Sequence, residues 1–473
     1  MITRVVNIGG INTYVNPLIE ERTDNKAFLT RAVNVDSYPY GGKSKRPGYI
    51  TFLGTADGSA INSLFSWTKE DGTTLFNYRA SGSSLYYSIQ GTGAWTLAGN
   101  GTISVGKHVG YAVLGDTLIM GDGAGSTRHT TNGTSFTNTT LAPIGEHFTQ
   151  FQRRIYIGGT SSTLFYSTTN DATNWNTSGT SDSSSFTIPG AGKINKVINA
   201  NNRLVATKNS GLVYRWDGYS LVDTSTSLGP TSPYSVSDAE GYFFWLNRLG
   251  HFGYGGDKPK LLSNAIQGQV YNNMGSGIAG ANFTTAPGIV HKYDWLCAVG
   301  TVTDDFTNEP VANAIIKYSF QKNEYLNYSF NNNPTAWHSY VDANGINQLI
   351  FGDNTGQCYQ MSGTATTDNG APIASLMQFV LDHDNPELDK KYNWFWAFFN
   401  PGCEANIQVA ISDTYRTSGL NWVEIGDASS GVAEFRFPEG SRGKLLFVKI
   451  YESSSNTGFR FYGCVIDAEL IPQ

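Results

Sequence analysis

Charge is scarce in this sequence: only 15% of its 473 residues are Asp, Glu, Lys or Arg. Long Glu-, Lys- and Leu-rich stretches are missing, which argues against a chain built from amphipathic helices. The 32 basic residues are outnumbered by 38 acidic ones, giving a net charge of −6. No basic stripe is left over to neutralise phosphates, so sequence-specific nucleic-acid binding is not expected. The four cysteines, Cys297, Cys358, Cys403 and Cys464, lie far apart with no CxxC spacing. Zinc-cluster arithmetic therefore fails, and reduced, buried thiols acting as small hydrophobes are expected instead. No apolar run approaches the ~18 residues that cross a bilayer. The opening stretch MITRVVNIGGINTYVNPL has neither an apolar h-region nor a small-residue cleavage site, so synthesis and folding in a cytoplasm are expected. The seven histidines show no HExxH or other ligand spacing, and no Gly-rich loop precedes a helix. No cofactor is expected.

What the sequence has in abundance is Gly (53), Tyr (26) and Phe (26), the composition of strands and turns. Short apolar runs flanked by Gly, Asn or Asp recur: TLFNYRA, DTLIMGD, RRIYIGG, NRLVATKN, GYFFWLN, YDWLCAV and NQLIFGD. With Leu75, Leu118, Ile155, Leu204, Phe243, Leu296 and Leu349 taken as equivalent, the steps are 37 to 53 residues. A four-stranded propeller blade needs roughly 40 to 50. In most repeats a second run follows, often with an aromatic and a polar turn, as in TLFYSTTNDATNW and LVYRWDGYSLV. Asn132-Gly133, Asp217-Gly218 and Gly256-Asp257 carry hairpin chemistry. Each repeat reads strand, turn, strand, turn, strand. The fold class predicted is all-β, a six- or seven-bladed β-propeller followed by a small C-terminal β-sandwich.

The ends differ from the repeats. Residues 1–60 read as an extended, strand-poor arm with lead-in strands, containing Pro17, Pro39, Pro47 and the stretch GGKSKRPGY, and such an arm needs a surface to lie on. Residues 61–363 read as the propeller. Residues 371–473 carry longer alternating strands, among them YNWFWAFFN, ANIQVAIS and GKLLFVKIYE, the size and number that suit a sandwich. The strand-poor arm before the first blade predicts that it lends the closing blade its outer strand.

Three stretches invite chemistry. TTNDATNW (168–175) and TTNGTSF (130–136) resemble the Asp-box turn of sialidase-type propellers, in which Asp or Asn caps a hairpin and an aromatic packs beneath it, far from catalysis. The acidic run holding Asp382, Asp384, Glu387 and Asp389 has carboxylates spaced closely enough for a hard cation such as Ca²⁺. It lacks the EF-hand glycine and spacing, which favours a solvated loop between strands. Asp304, Asp305 and Glu309 admit the same two readings. Arginines are scattered rather than clustered, no paired carboxylates announce a glycosidase, and Gly-Ser runs such as SGTSDSSS read as loop tips. No catalytic residue is assigned, and the chain is not expected to be an enzyme. Trp95, Trp175 and Trp216 read as packing between blades rather than as sugar platforms.

GGINTYVNPLIEE (9–21), RAVNVDSYPYGGKSKRPGYITF (31–52) with its R-P-G element, Trp337-His338 before NQLIFGDNTGQCYQM, and the closing RFYGCVID form a pattern. It resembles the tail nozzle, or packaged-DNA stabilisation protein, of short-tailed bacteriophages. The resemblance spans arm, propeller and sandwich. It implies a structural virion protein located in the tail and made in the host cytoplasm. It further implies a homo-oligomer, a hexameric ring that continues the tail channel below a portal or adaptor protein and meets tail fibres or a plug. Genomic DNA would be retained by the ring and pass through it without sequence-specific binding. The alternative expected role is a carbohydrate- or receptor-binding propeller of a phage or bacterial surface.

Overall fold

The computed structural model describes residues 2–5, 7–12, 26–37, 42–225, 227–239, 241–270, 277–278, 282–303, 309–381, 388–414, 419–455 and 458–471. Among these, α-helix is limited to two four-residue turns, Gln267–Val270 and Asn282–Thr285. The protein is an all-β propeller, and its blades number seven. Five are separate four-stranded sheets whose strands pair in chain order. Their first strands are Ile61–Thr68, Gly110–Leu114, His147–Phe151, Ile194–Ala200 and Ser237–Ala239. The sixth blade begins at Gly288–His291 and the seventh at Ala336–Val341. The seven residues taken as equivalent in sequence all lie on the second strand of a blade, with its neighbours antiparallel on both sides.

Those second strands read as continuous apolar runs because both of their faces are covered. Leu118 and Met120 pack toward the first blade with Phe65, Tyr78 and Phe136, whereas Ile119 of the same strand packs toward the third with Phe148, Ile155 and Trp175. Successive side chains of a strand point to opposite faces, so a sheet between two others is hydrophobic on both. Similar clusters fill the other junctions, and each blade is glued to the next by a layer of Phe, Tyr, Trp and branched aliphatics.

The ring is closed by the N-terminal segment. Tyr49–Thr51 is the fourth strand of the seventh blade, antiparallel to Cys358–Met361 in the register Tyr359 with Thr51 and Met361 with Tyr49, and the two-residue strands Thr367–Asp368 and Ala371–Pro372 follow on its far side. The first blade supplies only its own strands, so the propeller's two ends meet in the seventh and the circle cannot open without breaking that blade's hydrogen bonds. Tyr49 is buried against Phe330, Phe351 and Tyr359, with ring centroids 5.1, 4.9 and 5.1 Å away.

The N-terminal segment is richer in structure than an extended arm: its described residues form six strands before residue 52. Lys26–Val33 pairs antiparallel with Ser375–Leu381 and bridges to Glu324–Ser329, so the sixth blade runs on into a C-terminal sheet with Leu445–Glu452, Asn406–Ser412 and Val423–Asp427. The facing sheet holds Val35–Ser37, Lys43–Lys45, Arg460–Leu470, Lys390–Phe399 and Val432–Arg436, with Ile2–Val5 also on Arg460–Leu470. Between the two sheets lie Leu29, Met377, Phe379, Val448, Phe395, Phe461 and Ile466, a sandwich core that also touches the fifth and sixth blades. Sequence reading gave this arm lead-in strands and the strand lent to the closing blade, but not its strands in the sandwich, because those draw their partners from far along the chain, as Lys43–Lys45 does from Arg460–Leu470 and Lys26–Val33 from Ser375–Leu381.

GGKSKRPGY, read as an arm in need of a surface, lies where propeller and sandwich meet. Its three cations are buried and each has a carboxylate from a different place: Lys43 with Glu324 at 3.0 Å, Lys45 with Glu452 at 3.1 Å, and Arg46 with Asp368 at 2.6 Å. Arg46 uses its whole guanidinium. Nη1 and Nη2 donate to the two oxygens of Asp368, Nε to Asn34 Oδ1, and further bonds go to the carbonyls of Pro47 and Ser329, while the plane sits 4.4 Å from the Phe330 ring centre. A planar fork with five donors fits such a socket where an ammonium would not.

Candidate functional site

The inner strands of all seven blades surround a central channel with a volume of about 460 Å³. Hydrogen bonds between neighbouring inner strands hold its wall: Ser63 Oγ accepts the Val109 N–H and Ser237 Oγ accepts the Val290 N–H, both at 2.7 Å. The lining mixes polar and apolar side chains, among them His108, Glu146, Lys196 and Asp238 beside Val113, Ile198 and Ile289.

At the end where the inner strands begin, charged and aromatic side chains converge. Tyr234, on the 3-10 turn Pro233–Ser235 ahead of the fifth blade, reaches across the opening. Its ring stacks on His108 of the second blade, centroids 3.5 Å apart and planes 17° apart, and its hydroxyl donates to Glu146 Oε1 of the third blade at 2.5 Å. The other carboxylate oxygen of Glu146 faces Lys193 at 4.0 Å. Lys196 and His147 complete the group. Further along the channel stand Asp238, Tyr111 and His338, whose Nε2 is 2.7 Å from Ser66 Oγ.

Burial sets the protonation of these groups. Desolvation lowers His108 to about 4, with Lys196 adding to the effect, and it lowers His147 well below its ordinary value, again assisted by Lys196 and Lys193. Lys196 is lowered by desolvation to about 8, partly offset by Glu146. Desolvation raises Asp238, and raises Tyr111 to about 12 with help from Asp238. At neutral pH both imidazoles are uncharged, leaving Lys193 and Lys196 against Glu146 at this end of the channel.

Of the sequence-singled acidic residues, Asp382, Asp384 and Glu387 lie outside the described residues, as do Asp304 and Asp305. Asp389 is exposed, and its carbonyl accepts the Ile471 N–H. Glu309 is ion-paired with Arg31. Among the described residues no group of three or more His, Cys, Asp or Glu side chains is arranged to hold a metal. All four cysteines are buried and unpaired by disulfide, and burial pushes the Cys358 thiol up to about 12.

Both Asp-box-like turns are structural. Asp171 Oδ1 accepts from the Thr173 N–H and hydroxyl, and Trp175, buried beneath, donates to the Ala172 carbonyl at 2.9 Å. Asn132 Oδ1 caps the N–H groups of Thr134 and Ser135 above the buried Phe136. Sequence reading passed over the channel cluster, because its members are far apart in the chain.

No protein-family profile matches the chain, and no curated protein is similar to it. Among solved structures, YCF48 from Cyanidioschyzon merolae is 11% identical with a TM-score of 0.43, covering 66% of this chain and 98% of its own. BamB from Moraxella catarrhalis is 11% identical with a TM-score of 0.40, covering 69% and 90%. The Pan2 WD40 domain of Neurospora crassa is 7% identical with a TM-score of 0.41, covering 67% and 96%. Likenesses of this degree carry no role over to the present chain.

Proposed function

We propose that this chain is a structural virion protein, the tail nozzle of a short-tailed phage. It assembles as a homo-oligomeric, hexameric ring below the portal or adaptor protein, meets tail fibres or a plug, retains packaged DNA and conducts it during ejection. It acts without catalysis. The observation that carries this reading is the R-P-G element, one of the motifs of the resemblance. Arg46, Pro47 and Gly48 stand at the junction of arm, propeller and sandwich, so the three parts the resemblance spans are fastened at that motif. A component that withstands the pressure of packaged DNA benefits from units that cannot swing, and the buried ion pairs supply that rigidity. A net charge of −6 supports passage of DNA, since few bound phosphates mean little friction.

One surface serves both this reading and the alternative. On the outer face of the sandwich, Trp394, Trp396 and Phe398 alternate outward beside Val432 and Tyr462, with the two indoles 5.8 Å apart. A half-exposed aromatic stripe suits contact with a neighbouring subunit. In a carbohydrate- or receptor-binding propeller it would instead stack on sugars. Mixing the purified protein with portal–adaptor complexes and imaging by negative stain separates the two. The nozzle reading predicts an added ring at the tail end, and particles left unchanged while the protein is retained on glycan resin would replace it with the binding reading.

A further inference from the structure

An asparagine side chain is most open to attack by the next backbone nitrogen when glycine follows, because glycine has no Cβ to obstruct the approach. The chain holds four such pairs: Asn100-Gly101, Asn132-Gly133, Asn344-Gly345 and Asn369-Gly370. Three are held by the fold. Asn132 Oδ1 accepts from the Thr134 and Ser135 N–H groups and the Thr130 hydroxyl, and its Nδ2 donates to Ser135 Oγ, all at 2.9–3.0 Å. Asn369 Oδ1 accepts the Thr51 hydroxyl at 2.9 Å, and its N–H bonds the Tyr49 carbonyl. Gly101 is buried in a strand, where a Cβ would lie 3.0 Å from those of Ala98 and Leu85. Asn344-Gly345 stands apart. It lies in the hairpin joining the first and second strands of the seventh blade, where residues 343–347 are all exposed. The Asn344 carboxamide has no hydrogen-bond partner among the described residues, and only its backbone N–H is held, by Asp342 Oδ1 at 2.9 Å. At Gly345, φ +76°, even a Cβ would meet nothing within 4 Å. Its N–H donates to the Asp342 carbonyl at 2.9 Å, a bond at an exposed turn tip that opens locally without disturbing the blade.

We propose that Asn344 is a site of spontaneous covalent modification, converting to aspartate and isoaspartate in the folded protein while the other three pairs persist. The Gly345 nitrogen gives its proton to hydroxide and bonds to Asn344 Cγ. The Cγ–Nδ2 bond then breaks, and ammonia leaves with a proton taken from water. Water opens the resulting succinimide. Attack at Cγ restores the ordinary backbone as aspartate, whereas attack at the main-chain carbonyl carbon leaves the chain running through Cγ as isoaspartate. Either product sets a new carboxylate beside Asp342, whose Oδ1 holds the N–H groups of Asn344 and Ile346. Isoaspartate also adds a main-chain carbon between those two donors, which loosens the turn they form. The site is independent of ring assembly and holds whichever role the chain plays.

Peptide mapping by mass spectrometry tests the proposal, with the full chain incubated at mildly alkaline pH in water enriched in heavy oxygen, which labels each converted residue. In the folded chain Asn344 is expected to convert about tenfold or more faster than Asn100, Asn132 or Asn369, because those must first surrender hydrogen bonds or packing. In urea the four rates are expected to converge, since the fold no longer separates them. Asn344→Gln, whose longer side chain would have to close a larger and less favoured ring, is expected to lose the label at that peptide while folding unchanged. Conversion of Asn132 as fast as Asn344 in the folded chain, or an intact Asn344 in a folded chain whose urea-unfolded form reacts, would overturn the assignment.

Discussion

Arg46 illustrates what a single side chain decides here. Its guanidinium and the Asp368 carboxylate are almost wholly buried, 0% and 2% exposed, so each depends on the other for solvation. Replacing Arg46 with Ala leaves a buried carboxylate unpaired and is expected to cost about 3–5 kcal/mol in urea unfolding. The double variant Arg46→Met with Asp368→Leu is expected to recover most of that loss, since no charge is left behind. A double variant as unstable as the single one would show that the socket's shape matters more than its charge. A second residue-scale test concerns Gly133, in the Asn132-Gly133 turn with φ +81°, where a Cβ would come within 2.4 Å of the Phe76 ring. At Gly72, φ +68°, a Cβ would meet nothing within 4 Å. Thermal melts are expected to show Gly133→Ala losing about 1–3 kcal/mol more than Gly72→Ala, because only the former adds overpacking to the backbone cost.

Among the elements, what could be read from the sequence follows from which faces are buried. Second strands such as Arg154–Gly158 are covered on both sides by neighbouring blades and stand out as apolar runs, so their repeat was legible and marks one strand in each blade, although the sequence left the count at six or seven. Inner strands such as Gly110–Leu114 have one side turned to a wet channel, and the five-residue run GYAVL announces little. The channel cluster was hidden for a related reason. Ligand spacings are sought within one helix or loop, whereas His108, His147, Lys196 and Tyr234 are 39, 49 and 38 residues apart, close to the 37, 49 and 39 of the strand repeat. Recurrence of polar side chains at the blade period was the signal that could have found them. The arm's closing role was foreseen from its position, but its ion-pair partners come from the far end of the chain and left no local trace. Hydrogen exchange reads that role directly. The amides of Phe52 and Ser362, which donate across the seam to the Cys358 and Gly48 carbonyls, are expected to exchange together and slowly, as one cooperative sheet. Fast exchange at both while the rest of the blade stays protected would mean that the blade closes without the arm.

At the scale of the whole molecule, acid sensitivity follows from histidines spread over both channel and core. Burial lowers His108, His291 and His338 to about 4 and His251, stacked on Trp295, to about 3. Unfolded, these imidazoles take up a proton near pH 6.5, so between there and about pH 4 the unfolded chain binds more protons than the folded one. Stability is therefore full above about pH 6.5 and falls as the pH drops toward 4. The urea midpoint is expected to decline across that window, and His338→Gln is expected to flatten the slope; a midpoint independent of pH there would show that these imidazoles are not held neutral. The assembled state is the larger question, because closure by the arm, fastening at Arg46 and an aromatic outer face all make sense for a part built to be stacked under load. Its most direct test is the mass that portal–adaptor complexes gain on incubation with the purified chain, measured by light scattering after removal of unbound protein. The nozzle account predicts a gain of six copies of the 51.4 kDa chain; no gain in mass would contradict it.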